Sequence, residues 1–477
     1  MTMAHAPRLV VAGMSGDAGK TLASLAVVLG ARDRRLHVRT FKKGPDYIDA
    51  SWLTWASAAP ARNLDTFLVS RAGVKQSFAR HAARCAGPEV AAFNLIEGNR
   101  GLFDGTDAQG THSTAALAEL LDAPVLLVLD VRKMTGTAAA LVRGCQALAP
   151  NLALGGVILN RVASGRHETV AREAIESACG VSVLGAIPQL DDADLLPGRH
   201  LGLVTPHEHL ATEHLADSLR AIARANLDLD RILECAGAAP ALGDMVSAAE
   251  MPAAPVVSAQ PVTIGYLSDS AFNFYYPENL EALETLGARL APLSSLSGDP
   301  LPATLDALYI GGGFPETHAA RLSGNHALLD SLRARAADGL PIYAECGGLM
   351  LLANTVTWQG VRHKMSGVLP VDVEVLPRPQ GHGYVVLSVD RPNPFFKTGR
   401  EIYAHEFHYS RIVGELPKTA CAVLRGTGCG GGRDALVTRN VWASYAHVHA
   451  AGLPEWAAGM LAAARRKPAV RRRGDRS

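Results

Sequence analysis

A glycine-rich turn between an apolar run and a helical pattern, close to the start of the 477-residue chain, constrains the fold more than any other feature. Leu9 to Ala12 read as a strand. Gly13-Met14-Ser15-Gly16-Asp17-Ala18-Gly19-Lys20-Thr21 follows, and then the helical stretch LASLAVVLGA. Such a turn at a helix N-terminus presents backbone N–H groups to phosphate oxygens. Lys20 is then placed to reach the β- and γ-phosphates of ATP, and the Thr21 hydroxyl to ligate Mg²⁺. The usual spacing G-x-x-x-x-G-K-[ST] is not met, because Met14 takes the place of the first glycine and Gly13 lies one residue farther out. The flanking strand and helix are those the chemistry requires, so Gly13, Gly16, Gly19, Lys20 and Thr21 are read as nucleotide-binding.

The rest of the first half supplies a sheet to carry this turn. Apolar runs at 37–41, 90–97, 124–130, 154–160 and 181–187 are each about one helix length from the next. That rhythm argues for βα units and a mostly parallel sheet. Ligands of open parallel sheets bind outside the carboxyl ends of the strands. Lys42, Lys43, Asp46 and Asp49 follow the second run there, Asp65 follows in Asn63-Leu64-Asp65, and Glu97 and Asp104 stand in the segment 94–105. Phosphoryl transfer needs carboxylates to hold Mg²⁺ and lysines to neutralise charge on the γ-phosphate. Thr21, Asp46 and Glu97 are therefore assigned to the metal, and Lys42 to the phosphates. The competing reading is that some of these acids only cap helices or tie down loops.

A chain of this length exceeds one core and calls for two domains or more. Hydrophobic residues at 48% and charged residues at 19% are the mix of an ordinary globular protein. A formal charge of +1 gives no electrostatic reason to expect nucleic acid. The first apolar run breaks into glycines and lacks the h-region of a signal peptide. No uninterrupted apolar stretch reaches about 18 residues, the length that spans a bilayer. Seven cysteines, at 85, 145, 179, 235, 346, 421 and 429, form no CxxC pair. A reducing, cytoplasmic setting without a membrane is expected.

Alanine and proline without periodicity mark a linker at 241–261. It separates a first domain, 1–240, from a second α/β series over 262–462; a basic tail, 463–477, reads as a disordered solvated end. In the second domain Ala344-Glu345-Cys346-Gly347-Gly348-Leu349-Met350 closes the strand LPIYA and opens a helix. A nucleophile on such an elbow is exposed near a helix N-terminus, which favours thiolate. The adjacent glycines leave the Gly347 N–H free as an oxyanion donor, and Gly311-Gly312-Gly313 after another strand supplies the second, taken as Gly312. The base is sought among distant histidines. His447 and His449 in Ser444-Tyr445-Ala446-His447-Val448-His449 are two candidates that alternation puts on one side of a strand. His405-Glu406-Phe407-His408-Tyr409-Ser410 contains H-x-x-H but no third metal ligand, and reads as a substrate-facing or structural loop.

In this order the phosphate turn, K-G-P-D-Y-I-D, N-L-D, E-G-N-x-G-L-x-D-G, G-G-G-F-P-E, E-C-G-G-L-M and H-E-F-H-Y-S closely resemble the cobyrinate (hydrogenobyrinate) a,c-diamide synthase family, across roughly residues 8 to 460. The resemblance implies a dethiobiotin synthetase-like ATP domain joined to a class I-type glutamine amidotransferase domain. It implies that Cys346 attacks the side-chain amide of L-glutamine and that His447 is its base. Triads of this class place a Glu two residues after the histidine; here that position is His449, so a dyad with an unknown orienting group is implied. It further implies roles near Mg-ATP and the acceptor carboxylate for Asp46, Asp49, Asp65, Glu97 and Asp104.

Pairing the two sites gives an expected reaction. A carboxylate of a tetrapyrrole attacks the γ-phosphate, and ammonia from glutamine displaces phosphate from the acyl phosphate. Because water destroys that intermediate, a shielded path for ammonia is expected. Relatives in the family act on sirohaem or nickel-sirohydrochlorin, and Lys43 with Trp52 resembles the sirohaem-amidating branch, so both acceptors stay open. A glutamine- and ATP-gated regulatory protein without turnover is the alternative of another class, and a homodimer is also kept open.

Overall fold

A computed structural model describes residues 5–84, 91–190, 196–199, 202–206, 208–209, 211–241 and 261–466. The chain divides into two compact units, Met1–Glu250 and Met251–Ser477. Residues 242–260 of the expected linker and 467–477 of the expected tail lie outside the described residues.

In the first unit the apolar runs become β1 (Arg8–Gly13), β2 (His37–Lys43), β4 (Ala92–Glu97), β5 (Val125–Asp130), β6 (Leu154–Val162) and β7 (Val183–Pro188), with a short β3 (Arg62–Leu64) between the second and the fourth. Three residues carry no readable periodicity, which is why β3 escapes sequence reasoning. All seven pair parallel, in the order β3-β2-β4-β1-β5-β6-β7. β1 and β4 are buried along their whole length, as a parallel sheet covered on both faces requires.

The helix after β1, Lys20–Asp33, is buried from Leu22 through Ala31 and so lacks a conventional polar face. Fully burying side chains such as Leu25 and Val28 stabilises the unit by about 1.5–3 kcal/mol each. Gly30 is where this helix meets its neighbours most closely: a Cβ there would stand 2.6 Å from Leu229 and 3.2 Å from Ala223.

The second unit is only half parallel. Its strands are β8 (Val262–Leu267), β9 (Ala288–Leu293), β10 (Ala307–Ile310), β11 (Ile342–Glu345), β12 (Thr355–Trp358), β13 (Val361–Lys364), β14 (Asp372–Val375), β15 (Gly381–Val389), β16 (Glu401–His408), β17 (Ser410–Val413), β18 (Thr419–Arg425), β19 (Arg433–Thr438) and β20 (Val441–Ser444). Nine form one sheet, β9-β8-β10-β11-β20-β19-β18-β15-β16, parallel from β9 to β20 and antiparallel beyond. The other four pack as β13-β12-β14-β17. Behind β10, β11 and β20 lies a layer of Tyr309, Tyr343, Trp442 and Trp456, in which Tyr343 and Trp442 stack with planes 9° apart. Such a layer gives the central strands a stiff backing. The helix Pro454–Arg465 runs past the expected tail boundary at 463, because Ala463 and Ala464 are buried in this core. No helix among the described residues is long and apolar enough to cross a membrane.

Candidate active sites

Gly13 ends β1 and Lys20 opens the next helix, so residues 14–19 form the turn between them. Gly19 caps the helix at φ 92°, ψ 23° with no side-chain cap, which leaves the first helical N–H groups for an anion. A Cβ on Gly19 would collide with the Asn160 amide, whose Nδ2 donates to Ala18 O at 3.0 Å. One on Gly13 would lie 2.8 Å from Ala18 Cβ. Gly16 is exposed, with open space where a Cβ would point. Lys20 Nζ donates to Ser15 O at 2.7 Å and Gly16 O at 3.1 Å. Burial, followed by the charge of Lys42, lowers its pKa to about 8. Asn160 and Arg161, which donates to Asp17 O at 2.7 Å and to Asp130 at 2.9 Å, were not anticipated. Their signal was position alone: both stand where β6 reaches the carboxyl side of the sheet.

The strand order brings the acids together. Register pairs Lys42 on β2 with Glu97 on β4, and Val11 on β1 with the same Glu97. Lys42 Nζ, buried, lies 2.8 Å from Glu97 Oε1 and 2.7 Å from Asp49 Oδ2, and donates to Gly98 O at 2.9 Å. Thr21 Oγ1 donates to Glu97 Oε1 at 3.1 Å. Asp46 Oδ1 accepts the Asp49 N–H at 2.8 Å. Burial acts to lower the Lys42 pKa, but Asp49, Glu97 and Asp46 outweigh it and hold the ammonium above the usual lysine range. Three carboxylates against one such lysine leave surplus negative charge. It falls on Asp46, whose pKa burial and Asp49 push up to about 7, and on Glu97, whose pKa burial raises against the opposing charge of Lys42.

Asp65 and Asp104 each hold a local turn. Asp65 Oδ1 accepts the Phe67 and Leu68 N–H groups at 2.8 and 3.0 Å, and exposed Asp104 accepts the Gly101 N–H at 2.8 Å. Among the described residues no group of three or more His, Cys, Asp or Glu is arranged to hold a metal ion. Mg²⁺ commonly takes only one or two carboxylates, with phosphates and waters completing its shell. Glu97 Oε2, buried and without a hydrogen-bond partner among the described residues, is one hard oxygen available beside Thr21 and Asp46.

In the second unit Cys346 stands at φ 47°, ψ −98° between β11 and the helix Gly347–Leu352. This sparsely populated conformation makes the sharp elbow that the sequence suggested, but the side chain is buried rather than exposed as expected. The expectation of a ready thiolate is corrected: burial raises the Cys346 pKa, Glu316 raises it further, and the Gly347 N–H opposes them only in part. The proton has to be taken by a base. His447 is the imidazole at hand: a Cβ on Gly312 would lie 2.6 Å from its Cε1 and 3.4 Å from its Nε2. Gly313 N lies 3.3 Å from where a Gly347 Cβ would be, whereas Gly312 O accepts from Asn273 and Phe274. The Gly313 amide, next to that of the expected donor Gly312, thus lies close to Gly347.

The two histidines do not share a strand face, because β20 stops at Ser444. His447 Nδ1 lies 3.3 Å from Glu345 Oε2; His449 Nε2 lies 3.7 Å from Glu278 Oε2. H-E-F-H-Y-S is not a loop but the end of β16, a bend at Tyr409 and the start of β17. His405 exchanges backbone hydrogen bonds with His447, while His408 stacks on Tyr445 at 3.7 Å. Glu406 accepts the Thr427 and Gly428 N–H groups at 2.6 and 2.8 Å.

Comparison with known proteins covers both units. Residues 9–204 match the CobQ/CobB/MinD/ParA nucleotide binding domain, and residues 263–454 the CobB/CobQ-like glutamine amidotransferase domain. A cobyrinate a,c-diamide synthase of Magnetococcus marinus is 43% identical over 94% of this chain and 96% of its own. That of Syntrophotalea carbinolica is 42% identical over 86% and 87%, and that of Archaeoglobus fulgidus 39% over 93% and 94%.

Proposed function

Because this chain belongs to the cobyrinate a,c-diamide synthase family, we propose that it converts the a- and c-acetate carboxylates of cobyrinate into carboxamides, using ATP and glutamine. The observation that carries this reading is the coexistence on one chain of a phosphate turn backed by Lys42, Glu97 and Asp46 and a cysteine elbow beside the glycine turn 311–313, against which His447 lies.

The phosphate turn and Lys20 hold the triphosphate. Thr21, Glu97 and Asp46 would hold Mg²⁺, which supplies charge neutralisation on the phosphates, and Asp46 would give up its proton on binding it. Lys42, kept cationic by Asp49 and Glu97, stands beside the developing negative charge. An acetate oxygen attacks the γ-phosphorus and ADP leaves; ammonia then attacks the acyl carbon and phosphate leaves. Asp65 and Asp104 keep the crevice walls in shape through the turns they hold. At the second site Cys346 Sγ attacks the glutamine amide carbon, with the Gly347 N–H and an N–H of the Gly312–Gly313 turn facing the oxyanion. His447 delivers the thiol proton to departing ammonia, and water releases glutamate from the thioester.

Mass spectrometry after incubation with Mg-ATP, glutamine and either cobyrinate or sirohaem tests the reading. Two OH-to-NH₂ exchanges per ring are expected on cobyrinate. Exchange on sirohaem alone would replace the acceptor, and exchange on neither would overturn the proposal.

Lys43 bears on the acceptor. It is 6% exposed at the end of β2, and no hydrogen-bond or ion-pair partner for its ammonium is found among the described residues. Burial lowers its pKa, with Asp65 opposing and Lys42 and Arg100 adding to the drop. A substrate carboxylate other than the reacting one would satisfy it. A hydrogen bond to a charged group contributes about 1.5–3 kcal/mol, so Lys43→Met should raise KM for the macrocycle about tenfold or more. KM values for ATP and glutamine should not change. An unaltered macrocycle KM would return Lys43 to a packing role.

A further inference from the structure

The position where amidotransferases of this class carry the acid of a triad is His449, and that imidazole faces Glu278 rather than His447. His447 nevertheless has a carboxylate. Glu345, the residue just before the nucleophile and fully buried, places Oε2 3.3 Å from His447 Nδ1. It sits at the last register position of β11, opposite Ser444 on β20, so the sheet itself brings it beneath the segment that carries His447.

Glu345 is held from every side. Oε2 also accepts the Tyr309 hydroxyl at 3.1 Å, and Oε1 accepts the Val448 N–H at 3.2 Å. The Tyr309 oxygen accepts from Asn279 Nδ2 at 3.3 Å. Asn279 in turn donates to Val448 O at 2.8 Å and accepts the Ala450 N–H at 2.7 Å. The backbone that follows His447 is thus tied to the group that orients its ring, and the His405 bridge fixes His447 itself. A carboxylate only accepts, so the Nδ1 facing it carries the hydrogen and Nε2 is left to accept.

We infer that Glu345 is the positioning residue of the glutaminase site, fixing His447 in the tautomer whose Nε2 faces the elbow and stabilising the imidazolium formed when the Cys346 thiol gives up its proton. This rests on the reading of Cys346 and His447 as the glutaminase pair. The proton moves from Sγ to Nε2, the charge it creates lies against Glu345, and the same proton later leaves with ammonia. A carboxylate and a charged imidazole in a buried site attract strongly, whereas a neutral amide in its place offers an N–H that competes for Nδ1 and selects the wrong tautomer.

The test uses the full-length protein and Glu345→Gln. Glutamine-driven kcat should fall about 100-fold with little change in KM, and ammonium-driven amidation should stay at the wild-type rate. The rate of Cys346 alkylation by iodoacetamide, measured against pH, should shift its midpoint to higher pH, because the imidazolium that supports the thiolate has lost its counter-charge. A merely structural role would lower both nitrogen routes together and leave that midpoint in place. Tyr309→Phe, which removes one donor to Glu345 and keeps the ring packing, provides a second variant if Glu345→Gln does not fold; a smaller shift in the same direction is expected. Wild-type glutamine turnover with an unshifted alkylation profile in either variant would overturn the proposal. Cys346→Ser is run alongside. Glutamine use surviving in that variant would instead refute the glutaminase pair on which the inference rests.

Discussion

Cys346→Ser should abolish glutamine-driven amidation, by about 10³-fold or more, and leave ammonium-driven amidation at the wild-type rate. The substitution is nearly isosteric, and the elbow conformation at φ 47° belongs to the backbone and its packing rather than to the sulfur. Cys346 N donates to Ser444 O at 2.7 Å whichever side chain is present, so the fold should survive. What is lost is a nucleophile whose proton His447 can take; a hydroxyl is far weaker in that role. Ammonium salts at alkaline pH supply free ammonia directly and bypass the step. Initial rates with the two nitrogen sources decide the matter, and an equal loss with both would sink the division of labour between the sites.

Lys20→Ala should have the opposite signature: amidation is lost with either nitrogen source, while Cys346 alkylation is unchanged. The ammonium is buried in the phosphate turn and donates to the Ser15 and Gly16 carbonyls, positions from which it can turn to a phosphate. Removing it deletes the cation nearest the transferred group, where charge stabilisation is most of the catalysis. A pH dependence follows. With its pKa lowered to about 8 in the free site, Lys20 is neutral above that pH. Phosphate binds the charged form and raises the pKa, so nucleotide affinity should weaken as pH climbs through about 8, by up to about tenfold per unit. Titration calorimetry with ATP at pH 7 and pH 9 measures it. Retained amidation in Lys20→Ala, or flat affinity in the wild type, would count against the role given to Lys20.

Local patterns carried much of this protein. The turn Gly13–Thr21, the strand ends that carry Lys42, Asp46 and Glu97, and the elbow at Cys346 were legible because each depends on residue types within one strand-to-helix junction. The family resemblance extended that reading, and similarity over most of the chain supports it. The antiparallel half of the second sheet was not legible, since its strands differ in length and bulge and announce no partner.

The sequence by itself determined the phosphate turn, the parallel sheet that bears it and the nucleophile elbow, because short-range periodicity and glycine placement are properties of neighbouring residues. Only the tertiary structure decided which groups meet across strands. Lys42 finds Glu97 through the register of β2 and β4, whereas Asp65 and Asp104 accept backbone N–H groups within their own turns. Burial, which no local pattern encodes, raised the Cys346 pKa against the expectation from its helix terminus. Glu345 reaches His447, 102 residues away, because β11 and β20 are adjacent strands in one sheet.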